Sequence, residues 1–173
     1  MHKIALTGCG RISKNHIEAI TKLKEEGLAE LVACCDIIPE RAIEAAMKAG
    51  GSCKSYTDYS QMLRETDADL ISICTPSGLH PYQAIKAAEA GKNILSEKPQ
   101  GCSLEACDRA IEAADKAGVK YMVVKQNRFN PSIQLLRRAY EKGRFGKIYM
   151  ILANVLWTRP QDYYDMAKWR GTY

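Results

Sequence analysis

Lys3-Ile4-Ala5-Leu6-Thr7-Gly8-Cys9-Gly10-Arg11-Ile12-Ser13 is an apolar run that breaks on two glycines and passes into a helical pattern. A second apolar run, Leu31-Val32-Ala33-Cys34-Cys35, ends on Asp36, 23 residues beyond Ser13. A strand, a G-x-G-x-x-S turn and a helix, with a carboxylate about 20 residues on, form the fingerprint of a dinucleotide site. The first glycine permits a tight turn, and the second lets backbone approach a pyrophosphate. The helix beyond offers unpaired N–H groups and a positive dipole end to the phosphates. Gly8, Gly10 and Ser13 are therefore expected around the pyrophosphate, with Asp36 on the adenosine ribose. A carboxylate there repels a 2′-phosphate, so NAD is favoured over NADP, and Ile37 and Ile38 add no positive charge to reverse this.

The same alternation continues outward. Further strand-like runs lie at 69–74, 93–96 and 120–124, with a weaker one near 52–55, and helical patterns start near 11, 39, 58, 80 and 103. The runs are nearly continuous in Val, Ile, Leu, Ala and Cys, as expected of parallel strands covered by helices on both faces. This is the pattern of an α/β, doubly wound domain. Three helix ends share one wording: Ala42-Ile43-Glu44-Ala45-Ala46 before Gly50, Ala84-Ile85-Lys86-Ala87-Ala88 before Gly91, and Ala110-Ile111-Glu112-Ala113-Ala114 before Gly118. Small alanine faces let helices lie close, and each glycine suits the left-handed residue past a last turn. Pro39 and Pro81 suit first-turn positions, and Ser103 suits an N-cap.

After Val124 the pattern changes. Asn127-Arg128-Phe129-Asn130-Pro131 reads as a loop, 132–142 as a helix, and 147–157 as a long strand apolar on both faces. Such a strand needs neighbours, and sixteen residues remain after it. The expectation is a Rossmann-type domain over 1–125 and the truncated start of a second α/β domain over 126–173.

Composition narrows the function. A hydrophobic fraction of 46% and a charged fraction of 26% are those of a globular protein. The net charge of +5 is spread along helices, so neither a nucleic-acid site nor a polybasic membrane site is expected. No apolar stretch approaches the roughly 18 residues of a membrane span, and there is no signal-peptide pattern. The seven cysteines are odd in number and include no C-x-x-C, which favours reduced thiols in a cytoplasmic protein over a disulfide or metal framework.

Two more segments carry chemistry. Thr75-Pro76-Ser77-Gly78-Leu79-His80-Pro81 follows a strand at the carboxyl edge of the sheet, where α/β folds bind ligands. His80 there either caps the next helix or touches a cofactor. Ser96-Glu97-Lys98-Pro99 ends the next strand. Apolar surroundings would destabilise the Lys98 ammonium and bring it into range for proton transfer. The alternative is a surface lysine paired with Glu97.

Taken together, G-x-G-R-I-S, Cys35-Asp36, Thr75-Pro76-Ser77 with His80, Glu97-Lys98-Pro99 and Asn127-Arg128-Phe129 resemble the Gfo/Idh/MocA family of NAD(P)-dependent oxidoreductases. The resemblance implies an N-terminal Rossmann domain and a C-terminal domain that binds substrate and often makes an oligomer interface. It implies that Lys98 is catalytic. It also implies that Arg11, Ile12, Thr75, Pro76, His80, Glu97, Lys98, Asn127 and Arg128 join Gly8, Gly10, Ser13 and Asp36 in binding the cofactor. A downstream Asp and His motif of the family falls beyond residue 173, so the chain corresponds to about the first half of a member. Trp157-Thr158-Arg159-Pro160-Gln161-Asp162-Tyr163-Tyr164 and Lys168-Trp169-Arg170 are similar to the branch of UDP-N-acetyl-2-amino-2-deoxyglucuronate 3-dehydrogenases. On that resemblance Arg159, Lys168 and Arg170 meet carboxylate or phosphate, and Trp157, Tyr163, Tyr164 and Trp169 stack on sugar or uracil. Alternatives are a free polyol or inositol dehydrogenase of the same family and a non-catalytic NAD-binding module.

Overall fold

Among the described residues, six strands alternate with five α-helices through the first part of the chain: β1 (His2–Thr7), α1 (Ser13–Glu25), β2 (Ala29–Cys35), α2 (Pro39–Ala49), β3 (Lys54–Tyr56), α3 (Tyr59–Glu65), β4 (Leu70–Ile73), α4 (His80–Glu89), β5 (Asn93–Ser96), α5 (Leu104–Ala117) and β6 (Tyr121–Val123). The computed structural model describes residues 1–50, 52–166 and 170. The chain divides into two units, Met1–Val124 and Lys125–Tyr173.

All pairings in the first unit are parallel, and the strand order is β3-β2-β1-β4-β5-β6. This is the doubly wound arrangement, in which the order reverses between β1 and β4 and a crevice opens at their carboxyl ends. The hydrophobic pattern explains the two covered faces. Leu6, Leu31 and Cys34 pack with Ile17 and Ile20 of α1 and Ala45 and Ala46 of α2. Neighbouring positions on the same strands, Ala5, Ala33 and Cys35, turn to the other side. There they join Ile71, Ile73, Met62, Ala84, Ala87 and Ala110. Each fully buried Ile contributes roughly 1.5–3 kcal/mol. The alanine wording of α2, α4 and α5 is thus their buried stripe, and Gly50, Gly91 and Gly118 take φ near +68° just beyond it.

The second unit holds α6 (Pro131–Glu141) and a short α7 (Gln161–Asp165). The strand expected over 147–157 is absent: that stretch carries no ladder pairing. Apolar content makes a stretch suitable for a sheet, but a strand exists only by bonding to a neighbour. Among the described residues of this unit no segment provides one. Tyr149, Ile151, Leu152 and Leu156 are correspondingly exposed.

Candidate functional site

The glycine turn is shaped by two different needs. Gly8 has φ +85°, and a Cβ on it would lie 2.6 Å from both the Cys74 carbonyl carbon and the Thr75 nitrogen. Only glycine lets the end of β1 nest against the end of β4. At Gly10 an added Cβ would meet no atom within 4 Å, so the turn faces open space there. No side chain caps α1 at Ile12 and no acid lies in its first turn, whereas Asp58 and Ser103 cap α3 and α5. The amides that open α1 are left for an anion from outside.

Ser13 is buried, and its hydroxyl donates to the Gly10 carbonyl at 2.6 Å, so its side chain braces the turn while its amide stands among those that open α1. Arg11 and Ile12 are exposed beside it. Asp36 is held at both oxygens: Oδ2 accepts the Cys9 N–H at 2.8 Å and Oδ1 accepts the Ile38 N–H at 2.9 Å. A carboxylate has about four acceptor sites, so each oxygen keeps one for a ribose hydroxyl. Open space over Gly10, an uncapped helix and a tethered carboxylate are what a dinucleotide requires, and these residues fit NAD.

At the ends of β4 and β5 the structure corrects the reading of His80. Its ring is 1% exposed, with Nδ1 2.7 Å from the Pro99 carbonyl and Nε2 2.7 Å from the Thr75 carbonyl. His80 therefore staples the two loops together and has no face left for a cofactor or for general-base work. Thr75 donates its hydroxyl to Gln83 Oε1 at 2.5 Å, and Pro76 is exposed above it. The Lys98–Pro99 peptide is cis.

Glu97 is buried, and its Oε1 lies 3.0 Å from His16 Nε2. The other ring nitrogen, Nδ1, lies 2.9 Å from Ser72 Oγ, and Glu97 Oε2 accepts the Lys98 backbone N–H at 3.1 Å. The His16 hydrogen bond, with the Lys98 amide adding to it, holds the Glu97 carboxyl below the usual range against the upward push of burial. Lys98 itself is exposed. Both readings of it made from sequence are thus altered: this unit does not desolvate its ammonium, and Glu97 pairs with His16 instead of with Lys98. Sequence reasoning missed His16. The signal was available, because the buried stripe of α1 runs through Ser13, Ile17 and Ile20, and a histidine beside it needs a polar partner across the sheet edge.

The cysteines are free thiols. Burial pushes Cys35 up to about 11 and Cys74 up to about 12, so both stay protonated at neutral pH. Among the described residues no His, Cys, Asp and Glu side chains gather as a metal site, and no helix is long and apolar enough to cross a membrane.

The second unit is described by itself. Asn127 and Arg128 lie exposed on a single 3-10 turn, Gln126–Phe129. Around α7 the Arg159 guanidinium carbon stands 4.9 Å from the Trp157 ring centre and 4.8 Å from that of Tyr163. Arg170 stacks on Tyr163 at 4.1 Å and donates from Nη1 to its carbonyl at 2.6 Å. Tyr164 meets Tyr163 edge to face at 5.3 Å. Five of the expected substrate residues thus form one cationic and aromatic cluster. Lys168 and Trp169 lie outside the described residues.

Residues 2–125 match the Gfo/Idh/MocA oxidoreductase family, an NAD-binding Rossmann fold. The WlbA dehydrogenase of Bordetella pertussis, crystallised with NADH and UDP-GlcNAcA, superposes with a TM-score of 0.88 and 51% identity, over 98% of this chain and 50% of its own. A D-apiose dehydrogenase of Paraburkholderia graminis is 36% identical over 83% of this chain and 37% of its own length. A myo-inositol 2-dehydrogenase of Thermotoga maritima is 30% identical over 86% of this chain and 43% of its own. The chain spans about half the length of the relatives it matches.

Proposed function

This chain belongs to the Gfo/Idh/MocA oxidoreductase family, and we propose that it is the cofactor-binding part of an NAD-dependent dehydrogenase acting on a hydroxyl of a UDP-linked sugar acid. One observation carries the substrate reading. The likeness to WlbA runs on past the Rossmann unit through 98% of the chain, and so includes the Trp157–Arg159–Tyr163–Arg170 cluster. Guanidinium groups backed by aromatic rings suit a ligand that carries carboxylate, phosphate and a flat base together.

Bound NAD supplies the hydride acceptor at its nicotinamide. The chain's own residues do the rest. The α1 amides and the open turn at Gly10 take the pyrophosphate, and Asp36 takes the ribose hydroxyls and disfavours a 2′-phosphate. Arg11, Ile12, Thr75 and Pro76 border that crevice. Lys98, exposed at the end of β5, orients the substrate hydroxyl and exchanges its proton. The active form is a homo-oligomer.

A second reading, a free polyol or inositol dehydrogenase, is favoured by the D-apiose and myo-inositol enzymes among the relatives. Both readings share every Rossmann feature and differ in what 157–170 contacts. The test is NADH formation by the full-length protein with UDP-GlcNAcA, UDP-glucuronate and myo-inositol. Turnover of the UDP-linked acid should fall by about 10²–10⁴ in Lys98→Ala, the range of a general acid–base group, with NADH affinity within about twofold. Turnover of inositol alone would give the second reading the field. Undiminished activity in Lys98→Ala would remove the lysine from the chemistry.

A further inference from the structure

Ser72, His16 and Glu97 form a hydrogen-bonded chain at the carboxyl edge of the sheet, with Ser72 and Glu97 buried and His16 half-buried. Ser72 Oγ lies 2.9 Å from His16 Nδ1, and His16 Nε2 lies 3.0 Å from Glu97 Oε1. The order serine, histidine, carboxylate is that of a hydrolase triad, but Ser72 is 1% exposed and no substrate can reach it. The group must act on its neighbours. Its far end is the Glu97 carboxylate, whose second oxygen already accepts the Lys98 amide. The residue beside that carboxylate carries an ammonium, and a buried carboxylate without a partner captures the nearest cation.

We propose that His16 is a positioning residue that satisfies Glu97 from the α1 side and so keeps the Lys98 ammonium unpaired and presented to substrate. The proposal rests on the reading of Lys98 given above. An ionised Glu97 carboxylate can only accept, so the N–H of Nε2 faces it, and Ser72 Oγ meets the other ring nitrogen, Nδ1, at 2.9 Å. His16 also stands in the first turn of α1, the helix whose amides open onto the glycine turn. One side chain therefore ties the phosphate-binding end of α1 to the strand end that carries Lys98. Three groups face the Glu97 carboxylate: His16 from α1, Lys98 from its own loop and the Cys74 thiol from the end of β4. Among the described residues no ion pair engages the Lys98 ammonium.

The test reads Lys98 directly. The rate at which an acylating reagent labels Lys98 in the 173-residue chain is measured by peptide mass spectrometry against an exposed reference, Lys54. In His16→Leu the freed carboxylate recruits the ammonium, and labelling of Lys98 slows at least threefold. His16→Gln, which keeps a donor toward Glu97, stays within 1.5-fold of the parent. His16→Leu combined with Glu97→Gln removes the carboxylate and restores the rate. NADH affinity of the His16 single variants, titrated in parallel, stays within twofold. An unchanged rate in His16→Leu, or a slow rate that persists with Gln at 97, overturns the proposal. If His16→Leu does not fold, the comparison of His16→Gln with His16→Asn, which loses the reach to Glu97, decides the same point. In the full-length protein His16→Leu lowers kcat at least tenfold with KM within threefold. Should Lys98→Ala prove fully active, the dehydrogenase role of Lys98 fails while the labelling result still judges His16.

Discussion

Replacing Gly8 and Gly10 one at a time by alanine should give opposite results, although the two lie two residues apart. At Gly8 the added methyl meets the backbone of Cys74 and Thr75 at 2.6 Å, in a residue with φ +85°. The left-handed conformation costs an L-residue about 1–2 kcal/mol. Relieving an overpacked contact against backbone adds roughly 1–3 kcal/mol, because the β4 end has to move. The sum, about 2–5 kcal/mol, is a large part of an ordinary domain's ~5–15 kcal/mol. At Gly10 the methyl meets nothing, so stability should stay within about 0.5 kcal/mol of the parent. The same methyl, however, occupies the space where the pyrophosphate must come close, and NADH affinity should fall at least tenfold, about 1.4 kcal/mol. Urea denaturation followed by circular dichroism measures the first quantity, and NADH fluorescence titration measures the second. A Gly8→Ala chain as stable as the parent would refute the close approach of β1 and β4 as the reason for that glycine. A Gly10→Ala chain that binds NADH normally would place the pyrophosphate elsewhere.

Asp36→Asn keeps one acceptor for the Cys9 and Ile38 amides but removes the charge, so NADPH should gain on NADH by about tenfold in a competitive titration; an unchanged preference would deny Asp36 its role against the 2′-phosphate. His80→Ala leaves the Thr75 and Pro99 carbonyls unpaired over a cavity and should destabilise the chain by about 2–4 kcal/mol, read as a lowered urea midpoint. A midpoint equal to the parent's would mean that the staple holds nothing. The Glu97 carboxyl, lowered by His16, contributes stability above the unfolded carboxyl value of about 4.3, and that stability is lost as pH falls through the lower folded value. Glu97→Gln should therefore lose less stability than the parent between about pH 4.3 and more acid conditions, whereas equal acid limbs would show that the His16 contact does not hold the proton off.

The fold was legible because each Rossmann strand announces itself locally. A parallel strand covered on both faces must be apolar at nearly every position, as in Leu31–Cys35. The helix punctuation was equally local: Pro39, Pro81, Ser103 and Gly118 stand where the caps require them. The stretch 147–157 defeated the same method, because its composition is that of a strand while its pairing partner is a long-range matter that no window of sequence contains.

The site divides along the same line. The turn geometry at Gly8 and Gly10 and the nearness of Asp36 to it were legible, because a tight backbone turn is a short-range demand that few residues can meet. What the side chains of Ser13, His80 and Glu97 do depends on partners 3, 19 and 81 residues away. Sequence spacing shows that a polar residue sits near the crevice; it does not show whether the side chain faces out to a ligand or in to a carbonyl. His16 is the sharpest instance. On α1 it looks like one more helical residue, and only the sheet brings Ser72 and Glu97 to its two nitrogens. A buried polar group needs partners that satisfy it, so a histidine beside the core-facing stripe of a phosphate-binding helix already implies a carboxylate or hydroxyl on the strands beneath. Here that partner is the residue before Lys98, so a contact that looks structural governs which cation stays available at the crevice.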